Sequence, residues 1–293
     1  MTLLDSNTSI VVFHNAAVRR GGNLIWSNGT FSIPTGTISA IVGSNGAGKT
    51  TLLNVELGLL PLTQGEVTVL GKPAGVMNHS IGYVPQDYAS DIDSNITAEQ
   101  SVELGLYGSR FGWHRLTKKD KDKIHWALLH AGIADKAKYR LSEMSGGMRQ
   151  RVAIAQALVA EPALLLLDEP MANLDIAGQR DLADTLSLIN SELHVTIQIV
   201  AHDINVLLPI LDGAIYLLDR HPHYSALSDV MDNDLLTHLY GTDVEVISTP
   251  QGEMFIRPDP AVRHHAPASH FHVPSSQQDP EYVMTSARKN NNE

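Results

Sequence analysis

Ile38-Ser39-Ala40-Ile41-Val42 runs straight into Gly43-Ser44-Asn45-Gly46-Ala47-Gly48-Lys49-Thr50-Thr51. The first five residues are apolar or small and β-prone, so they read as a buried strand. Gly43 to Thr50 fit G-x-x-x-x-G-K-[ST], and residues 49–58 read as a helix. A glycine-rich loop between a strand and a helix is an anion cradle. Its glycines let the backbone wrap a phosphate, while successive N–H groups and the helix N-terminus point at the charge. Lys49 neutralises β/γ charge and the Thr50 hydroxyl is a Mg²⁺ ligand, which makes Gly43 to Thr51 the candidate residues for a nucleotide. The competing reading, an ordinary glycine turn, lacks a reason for this strand and helix context.

Working outward, the segment from Thr8 to about Gly48 alternates β-rich stretches with Gly, Asn and Pro, which predicts short strands joined by turns. Downstream, VTVL at 67–70 and SIGYV at 80–84 predict strands. From about Asp87 the apolar residues fall at helical spacings, as in Ile124, Ala127, Leu128 and Ala131, which predicts a helical insertion. Alternation then resumes: helix 147–159, strand 163–168, helix 176–190, and strands 195–201 and 214–219. Strands separated by helical crossovers imply an α/β fold with a parallel sheet covered on both faces. VEVISTPQGEMFIR at 244–257 predicts a hairpin turning at Pro250-Gln251-Gly252, and His221-Pro222-His223 reads as a surface turn. Residues 258–293 are proline-rich and poor in apolar side chains, which predicts a disordered tail. The expected organisation is one domain over 1–257, with a helical subdomain at about 87–147 inserted, followed by that tail.

Composition narrows the function. Of 293 residues, 21 are Lys or Arg and 32 are Asp or Glu, a net charge of −11 that repels a polyanion and argues against nucleic acid as a partner. No run approaches the ~20 apolar residues of a membrane-spanning helix. Zero cysteines exclude a disulfide framework, thiol catalysis and thiolate metal sites. The opening MTLLDSNTSI lacks the basic flank and apolar stretch of a secretory signal, so a cytosolic location is expected.

A second chemical element is Leu164-Leu165-Leu166-Leu167-Asp168-Glu169, a buried strand ending in two carboxylates. Two acids at a strand end are costly without a cation. Asp168 is therefore the candidate Mg²⁺ holder and Glu169 the group that orients or deprotonates an attacking water. The alternative is a helix-capping acid pair. Met144-Ser145-Gly146-Gly147-Met148-Arg149-Gln150-Arg151 opens another helix, either as a second anion site or as a plain N-cap.

The order of these motifs resembles the ATP-binding subunit of ABC transporters, over about residues 8 to 257. That resemblance implies a phosphate-loop NTPase core with a β subdomain and an inserted helical subdomain, using ATP and Mg²⁺. It implies that Gln86 in Tyr83-Val84-Pro85-Gln86 contacts Mg²⁺ and water and links to the membrane partner. It implies that His202 contacts the γ-phosphate, and that Asn173-Leu174-Asp175 crosses a dimer interface. Two cassettes, identical or paired, would close head to tail, each ATP lying between one phosphate loop and the other's Ser145-Gly146-Gly147. The implied partners are integral membrane permease subunits and an extracytoplasmic solute-binding protein, with the cassette at the cytoplasmic face of the plasma membrane.

Two departures stand out. The signature usually reads Leu-Ser-Gly-Gly-Gln, and here Met144 and Met148 replace its ends. Where the family commonly has an aromatic residue for adenine stacking, this chain has Arg20, whose planar guanidinium either stacks on the purine or is a solvated turn residue. Tyr107-Gly108-Ser109-Arg110-Phe111-Gly112-Trp113-His114-Arg115 resembles the corresponding region of manganese and zinc importers, against the reading of a family-wide loop with no bearing on cargo. His264, His265, His270 and His272 have spacings that could gather imidazoles around Zn²⁺ or Mn²⁺, against the reading of an incidental His-containing tail. The alternatives to a transporter ATPase are a soluble cassette acting on a macromolecular complex and a weakly hydrolysing nucleotide-dependent regulator.

Overall fold

The computed structural model describes residues 9–86, 88, 95–107, 115–249 and 254–258. The chain divides into two units, Met1–Asp259 and Pro260–Glu293, and the described residues lie in the first. In chain order the elements are β1 (Ser9–Arg20), β2 (Asn23–Pro34), β3 (Ile38–Val42), α1 (Lys49–Glu56), β4 (Gln64–Val69), β5 (Lys72–Pro73), β6 (Ile81–Val84), α2 (Ala98–Tyr107) and α3 (Lys118–His130). There follow α4 (Gly146–Leu158), β7 (Leu164–Asp168), α5 (Ile176–Leu193), β8 (Thr196–Val200), β9 (Gly213–Leu218), β10 (His221–Ala226), α6 (Leu227–Val230), α7 (Asn233–Tyr240), β11 (Val244–Ser248) and β12 (Met254–Pro258).

The central sheet has the order β10-β9-β3-β8-β7-β6. It is parallel from β9 to β6, with β10 antiparallel at its edge. Successive side chains of a strand face opposite ways, and both faces are covered here. Leu165 and Leu167 pack with Ile197 and Ile199 into one core under α4 and α5, while Leu164 and Leu166 pack with Leu52, Leu53 and Trp26 into another. Each such buried side chain stabilises by about 1.5–3 kcal/mol relative to exposure. The second core is closed by an antiparallel sheet of order β2-β1-β4-β5.

The predicted helices and central strands form within a few residues of their expected limits, and α2 and α3 supply the helical insertion. α3 begins with a capping box, the Thr117 side chain accepting from the Asp120 N–H while the Asp120 carboxylate accepts from the Thr117 N–H. The amino-terminal strands are not short. β1 and β2 each run for 12 residues, because Asn15 and Asn28, at φ 46° and 57°, lie within strands whose pairing shifts register rather than ending. Nor is His221-Pro222-His223 a turn. The turn is Asp219-Arg220, with φ 50° and 64°, the two positive values that a tight hairpin needs. Pro222 then sits buried in edge strand β10, where no ladder donor is required. The 244–257 hairpin is present as β11 and β12 paired antiparallel, its expected turn Pro250-Gln251-Gly252 lying outside the described residues.

A polar inclusion at α1 and β8 interrupts the apolar layers. Glu56, at the end of α1, is fully buried and accepts a 3.0 Å hydrogen bond from Gln198 Nε2 of β8. Burial pushes its carboxyl up to about 8, against the lowering effect of that hydrogen bond.

Candidate functional site

Strand β3 delivers the chain to the loop, and Gly48 at φ +103° turns it into α1. A Cβ at Gly48 would stand 2.6 Å from Ile25 Cγ2 and 3.0 Å from Trp26 Cδ1, so any side chain there displaces the β subdomain that packs on the loop. Lys49 is buried, and its ammonium donates to the carbonyls of Gly43 at 2.9 Å and Ser44 at 3.3 Å. Burial lowers its pKa, while the carboxylates of Glu169 and Asp168 act in the opposite direction. An ammonium held in a partly desolvated loop beside two acids is a fixed positive charge for an anionic ligand.

The neighbouring strand ends bring the acids and the histidine to this loop. β8 lies between β3 and β7, so the chain leaving β8 at His202 emerges beside that leaving β7 at Asp168-Glu169. Thr50 Oγ1 donates to Asp168 Oδ1 at 3.4 Å. Glu169 adopts φ 52°, which departs from the strand conformation directly after Asp168. Its two oxygens are both engaged: Gln86 Nε2 donates to Oε2 at 2.8 Å, and His202 Nε2 lies 2.6 Å from Oε1. The Glu169 side chain is 15% exposed and that of His202 50%. A largely shielded carboxylate oriented on both sides, with a partly open imidazole next to it, is suited to hold a water and accept its proton.

Two clefts flank the loop. His202 lines one together with Gly43, Ser44 and the Leu239-Tyr240 end of α7. The other runs along Ser44 to Ala47 and is walled by Leu24, Ile25, the Asp219-Arg220 turn and His238. Arg20 is exposed at the end of β1 and is not among the residues lining either cleft; the guanidinium at the second cleft belongs to Arg220. Sequence reasoning missed Arg220, His238 and Tyr240. The adjacent Asp219-Arg220 pair carried no glycine to mark the turn.

Ser145, Gly146, Gly147 and Asp175 come together elsewhere. Ser145 caps α4, its hydroxyl accepting from the Met148 N–H at 3.3 Å, and Asp175 caps α5, accepting from the Gly178 N–H at 2.8 Å. Both line a single cleft with Gly146, Gly147 and Leu174. Met148 lines this cleft and also packs against the apolar core. Gly108 to His114 of the segment proposed to mark cargo, and His264, His265, His270 and His272, lie outside the described residues. No helix among the described residues is long and apolar enough to cross a membrane.

A glycine-rich loop that opens a helix at one strand end and, at another, a carboxylate flanked by Gln86 and His202 place this fold among the phosphate-loop nucleoside triphosphatases. Comparison with known proteins narrows the class. The ABC transporter family matches residues 26–172. The zinc transport system ATP-binding protein TroB of Treponema pallidum is 35% identical over 221 residues, covering 75% of this chain and 82% of that protein. The manganese transport system ATP-binding protein MntB of Bacillus subtilis is 33% identical over 213 residues, covering 72% and 84%. The dimeric post-hydrolysis structure of the ATP-binding cassette MJ0796, bound to ADP and Pi, is similar with a TM-score of 0.62 and 28% identity, covering 74% of this chain and 98% of that one. The chain belongs to the ABC transporter family, as an ATP-hydrolysing cassette.

Proposed function

We propose that this cassette energises the import of a divalent metal ion of the manganese or zinc class, working at the cytoplasmic face of the plasma membrane. The observation that carries the reading is the bridge made by Glu169 between Gln86 and His202. It ties the hydrolytic carboxylate to the segment leading into the helical insertion, where a permease subunit would sense the state of the nucleotide. The names of the zinc and manganese relatives support the cargo class. In this reading residues 1–257 form the nucleotide-binding domain, with 87–147 as its helical subdomain, and 258–293 a tail outside it.

The Thr50 hydroxyl and Asp168 carboxylate, 3.4 Å apart, are the hard oxygen donors that suit Mg²⁺, with Gln86 bonded to the adjacent Glu169. These residues would hold the ion, which supplies positive charge to the phosphate oxygens when bound. Lys49 and the loop amides bind the β and γ phosphates of ATP, and Glu169 accepts the proton of the water that attacks γ-phosphorus. His202 holds Glu169 in place and faces the γ-phosphate. Ser145, Gly146, Gly147 and Asp175 line a different cleft from the phosphate loop, so a second copy or a paired cassette would supply them to each ATP. Integral membrane permease subunits and an extracytoplasmic solute-binding protein complete the system, and Arg220, rather than Arg20, is the guanidinium placed at the cleft along Ser44 to Ala47.

Deleting the chain from its native cell tests the cargo. Uptake of radiolabelled manganese or zinc should fall, and a tagged copy pulled from solubilised membranes with ATP should bring down a multi-span membrane protein. Undiminished uptake of both metals would overturn the cargo, and capture of soluble partners alone would favour a cassette acting on a macromolecular complex.

A further inference from the structure

The loop carrying His202 is fastened by the carboxy-terminal end of the domain. Asn205, three residues beyond His202, donates from Nδ2 to the Ile256 carbonyl at 2.9 Å and accepts at Oδ1 from the Ile256 N–H at 2.7 Å. Its side-chain amide thus pairs with β12 as a strand backbone would. Between these residues Asp203 Oδ1 accepts from the Asn205 N–H at 2.9 Å, which tightens the turn leading back to His202. Tyr240 of α7 approaches the same loop. Burial, and then the negative charge of Asp203, push its phenol up to about 12. The hairpin is in turn pinned to α7, with the Val244 N–H donating to Thr237 Oγ1 at 3.1 Å and the Val246 N–H to Asn233 Oδ1 at 2.9 Å. Leu239 and Tyr240 of that helix wall the cleft that His202 lines.

We propose that Asn205 is a positioning residue for hydrolysis, clamping the β11–β12 hairpin to the His202 loop so that the imidazole stays aligned on Glu169. The proposal rests on the reading of His202 as part of the hydrolytic site. It makes the hairpin a lever on turnover: whatever displaces β12 displaces His202. A misplacement of about 1 Å in a catalytic group costs up to ~100-fold in rate.

The test uses the full-length chain carrying Asn205→Ala or Asn205→Asp, with ¹⁵N-histidine spectra in which the His202 imidazole is identified by its loss in His202→Gln. Asn205→Ala should lower kcat about ten- to a hundred-fold with KM for ATP little changed, and should shift the His202 resonances. Asn205→Asp keeps the acceptor for the Ile256 N–H and should fall between. In a chain ending at Asp243, which lacks the hairpin, adding Asn205→Ala should cost nothing further. Unchanged kcat and unchanged His202 resonances in Asn205→Ala would overturn the proposal, as would a full additional loss in the shortened chain. If the shortened chain does not fold, the two single variants still decide. Full turnover in His202→Gln would instead refute the catalytic reading of His202, while the spectra continue to judge the clamp.

Discussion

The phosphate-loop side and the Ser145-Gly146-Gly147 side of this molecule are built from the same element, a helix N-terminus, and differ in what surrounds it. At the phosphate loop the helix start faces a buried ammonium, two acids and a histidine, with Glu169 bonded to Gln86 and His202. At α4 the helix start is satisfied by its own Ser145 cap and faces a cleft shared with Leu174 and Asp175. A helix N-terminus becomes a reaction centre only where charge and a base are assembled beside it. In the proposed reading the Ser145 side is a binding edge completed by a ligand that another cassette brings.

That contrast predicts unequal consequences for equal insults. The largest concerns Gly147→Asp. An added Cβ there meets only Leu174 Cδ2 at 3.6 Å, an ordinary contact, and an acid in the first turn favours the helix. The variant should fold normally and bind MgATP through the phosphate loop, yet lose roughly 10²-fold in turnover because a negative charge occupies the anion edge. Steady-state hydrolysis and nucleotide titration together check this, and full turnover would remove that edge from the reaction. Next, Lys49→Met should weaken ATP binding by about 10- to 100-fold through loss of a charge-assisted contact, measured by calorimetry. Equal binding by variant and parent would break the asymmetry between the two sides.

Apart from both clefts, buried Glu56 ties α1 to β8. Its folded pKa is raised from 4.5 to about 8. The folded state therefore binds the proton more tightly, and stability from this group is full below about pH 4.5 and is lost as pH rises towards 8. Denaturation of the parent and of Glu56→Gln should differ in slope between about 4.5 and 8 and run parallel below and above that window, the variant lacking this contribution to the decline. Identical pH dependence in both would show that Glu56 titrates normally. The smallest effect is expected from Ser145→Ala, about 1 kcal/mol of stability from the lost cap, read from a denaturant midpoint.

The gathering of residues on the phosphate-loop side is legible in the sequence because it is written in contiguous runs. Gly43 to Thr50, the Asp168-Glu169 pair, Gln86 and His202 each stand at or just beyond the end of a strand, and a parallel sheet brings such strand ends together without further information. What stayed hidden depends on pairs far apart in sequence. Gln198 and Glu56 are separated by 142 positions, and neither residue type announces burial. Asn205 and Ile256 are 51 apart, and an asparagine in a loop ordinarily reads as solvated. The edge strand at His221-Pro222-His223 was obscured because proline looks like a turn residue, while the true turn at Asp219-Arg220 uses no glycine to reach positive φ. The length of β2 is hidden for the converse reason, since Asn28-Gly29 looks like a turn and Asn28 accommodates positive φ inside a strand.

The central claim is that Glu169 is the base of the hydrolytic site, and the direct measurement is turnover and MgATP affinity of Glu169→Gln side by side. The amide keeps the size of the side chain but accepts no proton. Turnover lowered by ~10²–10⁴ with affinity retained is the predicted result. Turnover equal to that of the parent chain would contradict it.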